Sequence, residues 1–262
     1  MTRVGFIGAG RMGGPMVARL VQAGHDVRVL GRTPEKRDAV AILGAQPVTA
    51  VEAVAEAADV VIVCVFTDEQ VRQVCLEDGL TEAMPPHAVL VIHTTGSPRT
   101  VEAVGVRGVE VVDAPVSGGP HDIAAGEVTV FLGGRDAAVA RARPVLCAYG
   151  DPVLHIGPPG AGRLVKLINN ALFAAQIGLA AEAARLGGLL GVAEPALLEA
   201  LTHGSAGSRA LSLIARAGSA AAFNDAVGGF IGRDVAVVRQ TVEELGGDLG
   251  ALHDVVNAGL SR

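Results

Sequence analysis

Residues 3–13 read Arg3-Val4-Gly5-Phe6-Ile7-Gly8-Ala9-Gly10-Arg11-Met12-Gly13, an apolar run of strand length that breaks on glycine and passes into a helical pattern. The G-x-G-x-x-G spacing therefore has the strand–turn–helix context that a bare glycine cluster lacks. Gly8 permits a tight turn, Gly10 lets the backbone approach a pyrophosphate, and Gly13 lets helix pack closely on strand. The phosphate charge then meets the free N–H groups and dipole of a helix N-terminus. These residues predict a dinucleotide site formed by Gly8, Gly10, Arg11, Met12 and Gly13. The same glycines also suit an ordinary strand-to-helix turn of a flavodoxin-like sheet.

Outward from this turn, apolar runs of strand length alternate with helical patterns, as in a parallel, doubly wound α/β sheet. Strands are expected at 3–7, 26–30, 60–65, 89–93, 110–112, 128–132 and 153–155. Helices are expected near 11–23, 34–42, 50–56, 68–75, 98–104 and 136–146. Turn residues cluster at Gly157-Pro158-Pro159-Gly160 and strands stop there, which predicts a Rossmann domain over 1–160 and an all-α domain over 161–262. The second domain reads as helices near 162–190, 194–203, 207–217, 229–245 and 249–259.

The end of the second strand discriminates between cofactors, because an acidic residue there binds the ribose 2′-hydroxyl of NAD. Gly31 occupies that position, followed by Arg32-Thr33-Pro34-Glu35-Lys36. Arg32 can stack on adenine and pair with a 2′-phosphate, Thr33 can hydrogen-bond to it, and Lys36 adds charge. NADP(H) is favoured over NAD(H), the alternative being a solvated basic turn.

Of 21 lysine and arginine residues, only Lys36 and Lys166 are lysine. A lysine amine can give up a proton near neutral pH when its surroundings lower its pKa, whereas a guanidinium cannot, which draws attention to Lys166. Asn170 lies four residues on, on the same face of the expected helix. A second cluster, Asp113-Ala114-Pro115-Val116-Ser117-Gly118-Gly119-Pro120, follows a strand. Successive backbone N–H groups and the Ser117 hydroxyl suit an anion there, at the sheet end where open α/β folds bind ligands. A structural lysine and a glycine-dependent connector are the alternatives.

Three separated motifs, Gly5 to Met16, Asp113 to Gly119 and Lys166-Leu167-Ile168-Asn169-Asn170, together resemble the β-hydroxyacid dehydrogenase family, which includes 3-hydroxyisobutyrate and 6-phosphogluconate enzymes. The resemblance implies that Ser117, Gly118 and Gly119 bind a substrate carboxylate, that Lys166 is the general acid/base, and that Asn170 orients the substrate. It also implies that Val65, Phe66, Thr67 and Thr95 line the cofactor. The expected reaction is hydride transfer between NADP(H) and a small 3-hydroxy acid or semialdehyde acid, with catalysis by Lys166, Asn170 and Ser117. The chain departs from the family at His121-Asp122, which borders the expected pocket and brings His121 within the set of substrate candidates. Arg233-Asp234 replaces a common Lys-Asp pair and joins that set.

No metal is needed for this scheme, and the seven histidines form no ligand pair at helical spacing. A net charge of −6 without aromatics interleaved with basic residues argues against nucleic acid as a partner. Cys64, Cys75 and Cys147 lack C-x-x-C spacing and read as small buried hydrophobes in a reducing compartment. Strand residues begin at Arg3 without a charged leader, and Gln176, Glu182 and Arg185 interrupt the apolar stretch 171–190, so a cytoplasmic protein outside the membrane is expected. Broad apolar helix faces predict a homodimer or homotetramer. The competing readings are an imine reductase and a non-catalytic NADP(H)-binding scaffold.

Overall fold

The computed structural model describes residues 1–260 and divides into two compact units, Met1–Lys166 and Leu167 onward. The division falls inside a helix, later than the expected boundary after residue 160, because the first turn of that helix is tied to the sheet of the first unit. The first unit holds β1 (Arg3–Ile7), β2 (Asp26–Leu30), β3 (Gln46–Val48), β4 (Val60–Val63), β5 (Val89–Ile92), β6 (Glu110–Asp113), β7 (Val116–Ser117), β8 (Val128–Gly133) and β9 (Gly150–Gly157). Their order is β3-β2-β1-β4-β5-β6-β8-β7, with β9 beside β8.

From β3 to β6 every pair is parallel. Beyond β6 the doubly wound sheet becomes mixed: β8 is antiparallel to β6 and β7, while β9 runs parallel to β8. The chain turns back at Gly118, whose φ of +139° lies outside the range most side chains accept, so the β6–β8 connection carries a short antiparallel return. Strands β3 and β7 escape sequence reading because three and two residues show no period.

Side-chain alternation places the two core layers. Phe6, Ile62 and Val91 join Met16, Leu20 and Val29 in one buried cluster, while Ile7, Val61, Val63, Leu90 and Ile92 join Val54, Val71 and Leu80 in another. Adjacent strand residues alternate between clusters, as period-2 geometry requires when both sheet faces are covered. The covering elements are α1 (Gly13–Gln22), α2 (Pro34–Ile42), α3 (Val51–Ala55), α4 (Asp68–Arg72), α5 (Leu80–Ala83), α6 (Pro98–Gly105), α7 (Pro120–Ala125) and α8 (Asp136–Leu146). A π-helical turn, Gln73–Glu77, extends α4.

A polar strut crosses the first core. His93 Nδ1 bonds the Ala114 carbonyl and its Nε2 lies 2.7 Å from the Tyr149 hydroxyl, both side chains being buried. A carbonyl only accepts, so Nδ1 carries the proton and Nε2 accepts from the tyrosine. Burial lowers the His93 pKa to about 4. Cys64 and Cys75 are pushed up to about 12 by burial, whereas Cys147 is exposed at the end of α8, against the expectation of three buried thiols.

The long α9 (Ala161–Leu189) leads into the second unit, which adds α10 (Glu194–His203), α11 (Arg209–Ala217), α12 (Ala220–Glu244) and α13 (Leu252–Leu260). Its core gathers Ile177, Leu198, Ile214, Phe223, Val235 and Val256. Helix α12 starts upstream of the expected 229, because the Ser219 hydroxyl accepts the Ala222 N–H as an N-cap and the helix runs on through Gly229. Ile168, Leu172, Leu179 and Leu186 are exposed on α9 at spacings that place them on one face.

Candidate active site

A cleft of about 510 Å³ opens at the ends of β1, β2 and β4 and brings together Gly8, Gly10, Arg11, Met12, Gly13, Arg32, Lys36, Val65 and Phe66. The three fingerprint glycines differ in what a side chain would meet. A Cβ at Gly8, whose φ is +101°, would lie 2.2 Å from the Cys64 carbonyl oxygen, and one at Gly13 would lie 2.2 Å from the Gly8 carbonyl oxygen. A Cβ at Gly10 would meet nothing within 4 Å. Gly8 and Gly13 therefore serve the turn and the packing, while Gly10 leaves backbone accessible to a ligand. Helix α1 has neither a side-chain cap nor an acidic residue in its first turn, so its N-terminal N–H groups suit an external anion. The residues present fit a dinucleotide.

At the end of β2, a Cβ on Gly31 would lie 2.6 Å from Arg37 Cγ and 3.2 Å from Arg37 Cα. The crowding disfavours the acidic side chain that a ribose 2′-hydroxyl would use. Thr33 lies outside the cleft lining; its Oγ1 caps α2 by accepting the Lys36 N–H at 3.4 Å. Thr67 and Thr95 are also absent from that lining among the described residues. Thr67 forms a capping box, accepting the Gln70 N–H at 3.2 Å while the Gln70 side chain accepts the Phe66 and Thr67 N–H groups. Thr95 is half-buried next to Thr94, whose hydroxyl donates to the Val65 carbonyl at 2.8 Å.

The start of α9 is fixed by groups that sequence reasoning did not pair. Asp113, fully buried at the end of β6, accepts the Gly160 N–H at 2.6 Å and the Arg163 N–H at 2.8 Å. Burial raises the Asp113 pKa, opposed by these backbone donors. The buried Arg163 guanidinium donates to Asp68 Oδ1 and the Ser97 carbonyl, each at 2.7 Å, and Asp68 Oδ2 accepts the Ser97 N–H at 2.7 Å. One arginine thus ties the loops after β4 and β5 to the helix that carries Lys166. No local spacing links residues 95 positions apart, so the sequence held no signal for that pair.

Lys166 is half-buried on α9 one turn ahead of Asn170, on an unbroken helix. In the second unit, Asn170 is buried and donates through Nδ2 to Asp234 Oδ2 at 2.9 Å, while its Oδ1 accepts from Asn169 at 3.3 Å. Arg233 is exposed. Ser117 ends β7, paired with Thr129. Gly118 is exposed, and the Gly119 N–H donates to Asp122 Oδ2 at 2.6 Å, capping α7. The backbone N–H of Gly119 is thereby engaged by the chain's own carboxylate, which also stands beside Gly118, where a Cβ would lie 2.8 Å from Asp122 Oδ2. His121 is exposed.

A doubly wound sheet with an uncapped, glycine-lined helix at its switch point defines a nicotinamide-dinucleotide-binding domain. The family described as the NAD binding domain of 6-phosphogluconate dehydrogenase matches residues 3–157, and that described as NAD-binding of NADP-dependent 3-hydroxyisobutyrate dehydrogenase matches 160–258. A 3-hydroxyisobutyrate dehydrogenase of Pseudomonas aeruginosa is 36% identical over 218 residues, 81% of this chain and 73% of its own. The NAD-dependent L-serine dehydrogenase of that organism is 34% identical over 81% of this chain and 73% of its own. The solved Mycobacterium tuberculosis 3-hydroxyisobutyrate dehydrogenase with L-serine superposes at a TM-score of 0.88, with 28% identity, over 98% of this chain and 92% of that one. The chain belongs to the β-hydroxyacid dehydrogenase family, of the 3-hydroxyisobutyrate dehydrogenase type.

Proposed function

We propose that this protein transfers hydride between NADP(H) and a small 3-hydroxy acid or semialdehyde acid, residues 1–160 holding the cofactor and 161–262 forming the substrate and oligomerisation domain. The observation that carries the reading is α9, with its anchored start and with Lys166 and Asn170 one turn apart.

When bound, the nicotinamide supplies or accepts the hydride. Lys166 Nζ gives a proton to the oxygen of the carbonyl being reduced, and takes one from the hydroxyl in the reverse direction. Its ammonium also stabilises the developing alkoxide. Ser117 and Gly118 hold the substrate carboxylate, with Gly119 shaping the turn and His121 at its rim. Asn170, held by Asp234, orients the substrate, with Arg233 contributing positive charge nearby in sequence. Arg11 and the uncapped start of α1 receive the pyrophosphate, and Val65 and Phe66 border the cofactor, with Thr67 capping the helix that follows them. Arg32 and Lys36 receive the 2′-phosphate, with Thr33 capping the helix that carries Lys36; the crowding at Gly31 supports NADP(H) over NAD(H). A cytoplasmic homodimer or homotetramer is part of the reading, supported by the exposed apolar face of α9.

The test is NADPH oxidation against succinic, methylmalonic and tartronic semialdehydes, glyoxylate and cyclic imines. Turnover of a carboxylated aldehyde that vanishes in Lys166→Ala is expected. Imine turnover alone would overturn the substrate class in favour of an imine reductase, and tight NADPH binding without any turnover would leave a scaffold protein.

A further inference from the structure

The cleft carries an acidic neighbour that the proposed cofactor role of Arg32 does not use. Asp78 follows the π-helical turn Gln73–Glu77, and its N–H closes that turn on the Gln73 carbonyl at 2.7 Å. The carboxylate directly follows this wider turn, and π-bulges are frequent at functional sites. There Asp78 Oδ2 accepts from Arg32 Nη2 at 2.7 Å and Oδ1 accepts from Gln73 Nε2 at 2.6 Å. Arg32 and Gln73 both line the cleft, whereas Asp78 does not. The Asp78 side chain is 24% exposed and the Arg32 side chain 55% exposed.

We infer that Asp78 is a specificity-determining residue, a built-in counter-charge that holds Arg32 and reduces its attraction for a ribose 2′-phosphate, and this rests on the reading of Arg32 given above. A guanidinium bonded through one nitrogen keeps other N–H donors for a ligand, so Arg32 can bind a phosphate without leaving Asp78. The carboxylate nonetheless cancels part of the positive field and repels a dianion brought to the same side chain. A 2′-hydroxyl carries no charge and is indifferent to this opposition. Asp78 therefore narrows the gap between NADP(H) and NAD(H), opposing the preference that Arg32, Lys36 and the crowded Gly31 create.

Isothermal titration of the full-length protein with NADPH, NADH, 2′,5′-ADP and 5′-AMP provides a binding readout independent of turnover. Asp78→Asn keeps the shape and removes the charge; it is expected to tighten NADPH and 2′,5′-ADP about fivefold, with NADH and 5′-AMP within about twofold, as befits one charge beside a partly exposed guanidinium. In the Arg32→Ala background, Asp78→Asn should lose its selective effect. Unchanged or weakened NADPH binding in Asp78→Asn, with Arg32→Ala selectively weakening NADPH, overturns the role of Asp78 alone. Equal loss of NADPH and NADH in Arg32→Ala overturns the 2′-phosphate reading and this inference with it.

Discussion

Two helices begin at the C-terminal edge of the sheet, and they are finished in opposite ways. Helix α1 has no side-chain cap and no acidic residue in its first turn, and its loop leaves open space beside Gly10. Helix α9 is closed by the buried Asp113, which accepts two of its N-terminal N–H groups, and by Arg163, which ties it to Asp68 and Ser97. Every helix start has orphan N–H groups that need acceptors. Where the chain supplies no acceptor, a ligand phosphate can; where it supplies a buried carboxylate, the helix becomes a fixed mount. The same electrostatics suits a ligand phosphate at one helix and fixes the mount of Lys166, the proposed proton donor, at the other.

Removing the internal cap should break the second helix most severely. Asp113→Ala leaves two buried N–H groups without an acceptor, and the combined loss of cap and buried hydrogen bonds is about 3 kcal/mol, measurable by urea denaturation. Full stability in that variant would show that Asp113 does not anchor α9. The glycine loop gives the complementary contrast. Gly8→Ala forces a Cβ against the Cys64 carbonyl and should destabilise the fold, whereas Gly10→Ala should keep the melting temperature within about 2 °C while weakening NADPH by about tenfold. If Gly10→Ala binds NADPH normally, the open space beside it is not the phosphate site.

A smaller effect concerns the buried His93–Tyr149 strut. The folded pKa of His93 is about 4, below its ordinary 6.5, so protonation favours the unfolded chain. Its contribution is intact above pH 6.5 and fades as the pH falls toward 4, costing about 2 kcal/mol by pH 4.5. The difference in stability between wild type and His93→Gln should therefore shrink between pH 7 and pH 4.5. A constant difference would mean that His93 is not buried in its neutral form.

How much of this was readable beforehand follows from the range of the interactions. The β1 turn, the glycine spacing, α9 and the Lys166–Asn170 pair are local patterns, legible because strand and helix periods and turn residues act over a few positions. The antiparallel return at β7 and β8 was hidden in a two-residue strand and one left-handed glycine. Thr33 and Thr67 looked like ligand groups, but a hydroxyl just before a helix is equally an N-cap, and both serve as caps. The Asp113, Asp68–Arg163 and Arg32–Asp78 contacts join residues separated by whole strands and helices, which no one-dimensional period encodes. The Asp122 cap on Gly119 was local, yet the pair of glycines drew attention as an anion nest before the carboxylate three residues on.

The central claim is that α9 presents Lys166 as a proton donor and not merely as a positive charge. Steady-state turnover of the best semialdehyde by Lys166→Arg tests it most directly, because arginine keeps the charge and cannot exchange a proton near neutral pH. The account predicts that Lys166→Arg loses turnover by about a thousandfold, as Lys166→Ala does, with NADPH affinity within about twofold of wild type. Turnover by Lys166→Arg close to wild type would contradict it and leave Lys166 as an electrostatic anchor alone.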